Sequence, residues 1–305
     1  MTTSQTQHWY EIDERVGVIL GSVNIGVIRL DESRALLVDT GLDRDSGRRA
    51  IRTVAEAGWG TVAGILTTHA HADHIGGHAT VVERTGCEVW ASPVEAALTQ
   101  NPDLAPAILY GANPPAALRG KFLLAAASPV DHLVTGDSVT IGDLTIGVVP
   151  LPGHSPGQIG YTVGDICFAA DIVFPRETID KYRIPYLYSV AQHRESLETA
   201  RTLDFRAFVP GHGPVLARQP FTALIDHNAA SLDTVERAVL AALDRQTTPD
   251  ATVAAVLDAV GAAPADVAAL ALLRTTILSV IAGLADRGVV VGRVEEGLLH
   301  WRPAG

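Results

Sequence analysis

The sequence predicts an α/β domain followed by a smaller helical module. Three observations predict it. Up to about residue 210, short β-branched runs alternate with turns and with segments of helical spacing. From Phe221 the strand signals stop until a last stretch near the C-terminus. The 305 residues are 47% hydrophobic and 19% charged, enough apolar material for a sizeable core in one large domain or two smaller ones.

The elements follow in chain order. Arg15–Leu20, Val23–Leu30 and Arg34–Thr40 read as strands of one meander. Asp43–Ala57 has helical spacing and an acidic start. Thr61–Thr67 is an apolar, buried strand, Ile75–Thr85 a helix and Cys87–Ala91 a strand. Pro93–Val130 changes character: rich in Ala, Pro and Leu, it reads as short helices lying over something, as a lid would. Strands return at Ser138–Ile141, Leu144–Pro150, Gln158–Val163 and Asp165–Ala170. A loop-rich insert, Phe174–Val190, precedes a helix to about Leu203 and a strand Arg206–Pro210. Phe221–Gln246 is a long amphipathic helix, broken at Thr247–Pro249. Ala251–Val260 and Ala265–Arg287 follow as helices, and GVVVGRVEEGLLHWR as a two-stranded wing. A boundary is expected between about Asp226 and Thr248, which divides the chain into residues 1–228 and 229–305.

Charge and composition exclude several classes. A net charge of −11 argues against a broad nucleic-acid footprint, which needs Lys and Arg to neutralise phosphates. The polar start MTTSQTQHWYEIDER has no apolar core of a signal peptide, and no apolar run reads as long enough to span a bilayer. Cys87 and Cys167 form no disulfide framework and read as small core residues. A soluble, cytoplasmic protein with reduced thiols is expected.

The chemistry concentrates in TTHAHADHIGGH, Thr67 to His78. His69 and His71 stand two apart on extended or turn backbone and can aim at one point. Asp73 and His74 follow at once and can aim at a second. This is ligand spacing for two neighbouring metal ions. Four side chains are too few for two ions, and three more candidates stand at strand ends: His154 in LPGHSPGQ, Asp171 after ICFAA and His212 in VPGHGP. His78, four residues after His74 on the presumed helix, reads first as an ordinary histidine without a role at the metals and only second as a support for a ligand through a hydrogen bond. His8, His132, His193, His227 and His300 read as surface or capping residues.

With HAHADH, PGHSPG, AAD and PGHG in this order, and VDTG at Val38–Gly41, the chain resembles the metallo-β-lactamase superfamily over roughly residues 15–225. The resemblance implies an αββα sandwich with the metals in a groove at one edge of the two sheets. It implies that His69, His71 and His154 hold one metal, that Asp73, His74 and His212 hold the other, that Asp171 bridges them, and that Asp39, which ends a strand near the site in the family, supports a ligand through a hydrogen bond. Two divalent ions, zinc first and iron or manganese as alternatives, would lower the pKa of a bound water, and the resulting hydroxide would attack an electrophilic carbonyl or phosphorus. Asp73 would also orient the hydroxide or move a proton, as the catalytic carboxylate. Residues 250–302 resemble the small winged-helix module that follows this domain in some family members. Six acidic residues there against four arginines favour packing or homodimerisation over nucleic-acid binding.

Substrate choice is expected in the inserts. Lys181, Tyr182, Arg183, Tyr186 and Tyr188 in DKYRIPYLYSV are candidates, as are Tyr110, Arg119 and Lys121. The Ala and Leu content of the first insert suits an acyl chain, an aliphatic ring or packing against a neighbour. The favoured function is hydrolysis of a small ester, thioester or lactone, and PGHSPGQIGY resembles the matching glyoxalase II segment. A phosphodiesterase or ribonuclease and a mononuclear iron oxidoreductase of the persulfide-dioxygenase type are the alternatives. A β-lactamase and a non-enzymatic binding module rank lower.

Overall fold

The computed structural model describes residues 8–244 and 247–304. Two mixed sheets form its centre. In the first, β1 (His8–Glu11), β2 (Val16–Leu20), β3 (Ile25–Arg29), β4 (Arg34–Val38), β5 (Thr61–Leu66), β6 (Glu88–Ala91) and β7 (His132–Leu133) lie in chain order. The meander β1–β4 is antiparallel, and β4 to β7 run parallel. The second sheet has the order β13-β12-β11-β10-β9-β8, where β8 is Ser138–Ile141, β9 Leu144–Pro150, β10 Ile159–Val163, β11 Ile166–Ala170, β12 Ala207–Pro210 and β13 Leu216–Ala217.

Period-two patterning builds the layers. Leu36 and Val38 of β4 face Phe168 and Ile166 of β11 in the core between the sheets, while Leu37 turns outward. That outer face is covered by α1 (Arg44–Glu56) and by α3 (His78–Thr85) through Ala50, Val54 and Val81. Cys167 and Ala169, one residue out of phase, face a helical layer of α7 (Val190–Thr202) and α8 (Arg218–Ala242). The result is the αββα sandwich.

The C-terminal part has the expected order of helices and hairpin. After α8 come α9 (Pro249–Val260), α10 (Val267–Asp286) and the hairpin β14 (Val290–Glu295) with β15 (Leu298–Pro303). The expected helix end at Gln246 lies outside the described residues. The expected boundary at residue 228 falls inside the continuous α8, and one apolar core runs from β11 and β12 through α7 and α8 to Val256, Ile277 and Ile281. By length and composition α10 is apolar enough to cross a membrane, which corrects the reading that no such run exists. Here it buries Leu273, Ile277, Val280, Ile281 and Leu284 in that core.

Two helices differ from expectation. The helix expected over Ile75–Thr85 is split into α2 (Ala72–Ile75) and α3 at Gly76–Gly77. A Cβ on Gly76 would stand 1.8 Å from the Leu42 carbonyl oxygen, so only glycine permits this close approach of the chains. The Pro93–Val130 segment holds α4 (Pro93–Gln100), α5 (Leu104–Tyr110) and a short 3₁₀ turn at Ala116–Leu118, with α5 and the turn against α10. The second loop-rich segment, which follows β11, holds near its start a helix that was not expected, α6 (Arg176–Tyr182).

Thr276 of α10 laces this second insert to the C-terminal helices. Its hydroxyl accepts from the Leu187 N–H at 2.8 Å and donates to the Pro185 carbonyl at 2.8 Å, all buried. Thr276→Val keeps the shape and orphans the Leu187 N–H, so it should destabilise the protein by about 1–3 kcal/mol. Urea unfolding checks this, and an unchanged midpoint would refute the role given to the hydroxyl.

Candidate metal centre

Every candidate ligand sits just past the C-terminal end of a strand. Asp39 follows β4, His69 to His74 follow β5, His154 follows β9, Asp171 follows β11 and His212 follows β12. Those ends meet at one edge of the sandwich, where loops carry side chains on a rigid frame. The backbone is locally forced. Asp39 and Ala170, just before Asp171, both have positive φ, 60° and 50°, and a bulge breaks the β11–β12 register at Phe168–Ala170.

The structure brings all seven expected residues together. The ligand atoms of His69, His71 and His154 lie within 4.8 Å of one another, and so do those of Asp73, His74 and His212. Asp171 faces both groups. Its Oδ2 is 3.4 Å from His154 Nε2 and 3.2 Å from His212 Nε2, and its Oδ1 is 3.4 Å from His74 Nε2. A Cβ on Gly211 would come within 2.0 Å of Asp171 Oδ1, so the PGHG turn needs glycine to leave that carboxylate room.

Hydrogen bonds set which ring nitrogen points inward. His74 Nδ1 donates to Asp39 Oδ2 at 2.7 Å, His154 Nδ1 to the Tyr186 carbonyl at 2.9 Å and His212 Nδ1 to the Ser22 carbonyl at 2.6 Å. The Thr68 hydroxyl spends its proton on Asp39 Oδ2, so it accepts from His69 Nδ1 at 3.0 Å. In neutral rings, each of the four Nε2 atoms then carries a lone pair. His69 Nε2, His74 Nε2 and Asp171 Oδ1 are buried with no hydrogen-bond partner, and His71 Nδ1 stands 2.8 Å from His154 Nε2. Converging lone pairs without donors are costly unless a cation takes them. The donor set therefore fits two divalent metal ions of the kind that accept imidazole and carboxylate.

Charge states agree with this. Burial holds His69 and His154 well below the ordinary histidine value and brings His71 down to about 4. Burial opposes charge at His74 and His212 too, but the carboxylates of Asp171 and Asp73 outweigh it, raising His74 well above its ordinary value and His212 to about 9. The second group thus attracts positive charge, which a metal ion supplies in place of protons.

Asp39 supports a ligand as expected. Beyond His74, it accepts from the Thr68 N–H at 2.8 Å. His78 does not touch a ligand: its ring bridges Thr40 Oγ1 at 2.7 Å and Thr67 Oγ1 at 2.9 Å. His193, read as a surface or capping residue, is buried beneath the site on α7, where burial lowers it to about 3. Sequence reasoning missed Glu95. It is fully buried on α4, and its carboxylate accepts from the Ala70 N–H at 2.7 Å, the Ser155 hydroxyl at 2.6 Å and the Gly157 N–H at 2.7 Å. It clamps the loop of His69 and His71 to the loop of His154.

A cavity of about 360 Å³ opens on the cluster. Tyr182, Tyr186 and Tyr188 line it, as expected. Lys181 instead lines a neighbouring cavity, its ammonium 4.6 Å from the Tyr182 ring centre. Arg183, Tyr110, Arg119 and Lys121 line neither cavity, although α5 contributes Ile108 and Leu109 to the first.

The Metallo-beta-lactamase superfamily model matches residues 18–212, a stretch that holds most of the sandwich and all seven candidate ligands. The chain belongs to the metallo-beta-lactamase superfamily. It is 32% identical over 192 residues to "Probable metallo-hydrolase YqgX" of Bacillus subtilis, covering 61% of this chain and 82% of that protein. It is 31% identical over 136 residues to a hydroxyacylglutathione hydrolase of Erythrobacter litoralis, covering 44% of this chain and 42% of that protein. A beta-lactamase domain protein from Burkholderia ambifaria shares the fold with a TM-score of 0.76 at 20% identity, over 99% of this chain and 95% of that one. This last likeness includes the C-terminal helices.

Glu95→Gln would turn an NH₂ group toward backbone N–H or hydroxyl donors and loosen the clamp. It should weaken metal affinity about tenfold to a hundredfold, as loss of a group that orients ligands does. Competition with a chromogenic chelator measures this, and unchanged affinity would show that the clamp does not position the ligands.

Proposed function

We propose that the protein is a binuclear metal-dependent hydrolase of a small ester, thioester or lactone. The observation that carries this reading is Asp171, a buried carboxylate placed between two complete ligand groups. His69, His71 and His154 would hold one ion, Asp73, His74 and His212 the other, with Asp171 shared. When bound, such ions supply a water of near-neutral pKa and a Lewis acid for the carbonyl oxygen. Zinc suits the imidazole-rich donor set best, and iron and manganese are compatible with it. A complete second group favours two ions over the single iron of a dioxygenase.

The protein's own groups do the rest. Both carboxylates line the cavity, but Asp171 is almost dry, whereas the Asp73 side chain is 29% exposed. Asp73 is therefore the carboxylate that can orient water and pass its proton to the departing group. Tyr186 stands edge-on to His71 and His154, with ring centres 5.3 and 5.6 Å away, and walls the reacting centre from solvent. Burial raises its hydroxyl above the ordinary tyrosine value, so it stays protonated. Overall, a water oxygen bonds to the acyl carbon, the C–O or C–S bond breaks, and the leaving alkoxide or thiolate takes a proton.

Relatives named hydroxyacylglutathione hydrolase support the thioester end of this range. The cavity differs from what glutathione's carboxylates need: among the described residues lining it, none is Lys or Arg. The same feature weighs against a phosphodiester.

His71→Ala and Asp171→Asn should each lower kcat/KM on a susceptible ester or thioester about a thousandfold or more, with the far-ultraviolet circular dichroism unchanged. Full activity of either variant at normal metal content would sink the assignment.

A further inference from the structure

Tyr186 borders more than the cavity over the metal centre. A second cavity of about 400 Å³ adjoins it and shares Phe174, Tyr182, Tyr186 and Leu272 with it. The wall of the second cavity away from the first comes from the C-terminal part of the chain: Ala263 to Ala265, and Ala269 and Leu273 of α10. Lys181, exposed, is the one cation among its described lining residues, and it stacks on Tyr182 at the rim.

The mouth is also apolar. Ile108, Phe122 and Tyr182 line the first cavity and yet are 48%, 68% and 54% exposed. Large apolar side chains left wet around one opening mark a binding surface. Polar groups converge only at the reacting end, where His71, Asp73, His154, Asp171 and His212 stand. A concave apolar site with polar groups at one end orients a ligand by that end.

We propose that the substrate is an ester or thioester of a long aliphatic acyl chain, with the chain lying past Tyr182 and Tyr186 against α10. This rests on the hydrolytic reading of the metal centre. It gives the C-terminal helices a part in the active site as the end wall of an acyl pocket. That wall is fixed to the catalytic loops: Thr276 holds Leu187 and Pro185, and the Ser279 hydroxyl accepts from the Val190 N–H at 2.7 Å. Tyr186, between these anchors, borders both cavities, so α10 fixes a side chain common to the two.

The test uses metal-loaded full-length protein and p-nitrophenyl esters from butanoyl to decanoyl, below their aggregation limits. Each methylene that enters the pocket should raise kcat/KM by about fourfold. Ala269→Phe, which fills the second cavity, should lower the decanoyl-to-butanoyl ratio by about tenfold or more. Calorimetric titration with decanoate against butanoate gives a readout independent of turnover, and the same preference should appear and fall in the variant. Ester turnover that is flat with chain length would overturn the acyl pocket and leave the hydrolase. Decanoate binding that depends on chain length and on Ala269, without turnover of any ester, would overturn the hydrolytic reading and leave the pocket. Neither binding nor turnover would overturn both.

Discussion

Lone pairs that converge in a dry place must be neutralised, and this constraint organises the molecule. Five imidazoles and two carboxylates meet where the strands of both sheets end. Hydrogen bonds to Asp39, Thr68, Tyr186 and Ser22 turn the Nε2 atoms of four of those rings inward. The fold spends local strain to do this, with positive φ at Asp39 and Ala170 and glycines where Cβ atoms would collide. Such strain persists only where the surroundings fix it. A divalent ion in each group would turn the mutual repulsion of the donors into a force that holds the loops.

The surrounding layers serve that arrangement. The inter-sheet core sets the spacing of β4 and β5 against β11 and β12, hence of the loops that follow them. Glu95 and Asn24 then tie loops across the sandwich: Glu95 joins the two histidine loops of the first group, and Asn24 Nδ2 donates to the Pro210 and Gly213 carbonyls around His212. Neither residue faces the reacting atoms. The second insert and α10 are laced in the same manner, so the wall of the second cavity and the candidate metal centre share one framework.

Much of this was legible in the sequence. HAHADH follows an apolar strand, and each remaining ligand stands in a Gly-rich or strand-ending segment, so both its type and its position were informative. Short apolar runs bounded by turns, such as RALLV around Leu36 and ICFAA around Phe168, were equally readable. Glu95 was not, because an acid in the first turn of a helix ordinarily serves as a helix-end charge, and its partners lie 25 and 60 or more residues away. His193 was misread because its burial comes from packing between α7 and the His154 loop, which no local pattern encodes. Of the charged candidates in the second insert, Lys181 lines the neighbouring cavity and Arg183 lines neither, while three tyrosines of the same segment line the metal cavity, a placement that no local pattern encodes.

The central claim is that Asp171 joins two complete metal sites. The most direct test is to strip the metal, titrate zinc calorimetrically and confirm the stoichiometry by elemental analysis. Two equivalents per chain in the native protein are expected, both perturbed in the Asp171→Asn variant. A single equivalent at saturation would contradict the account.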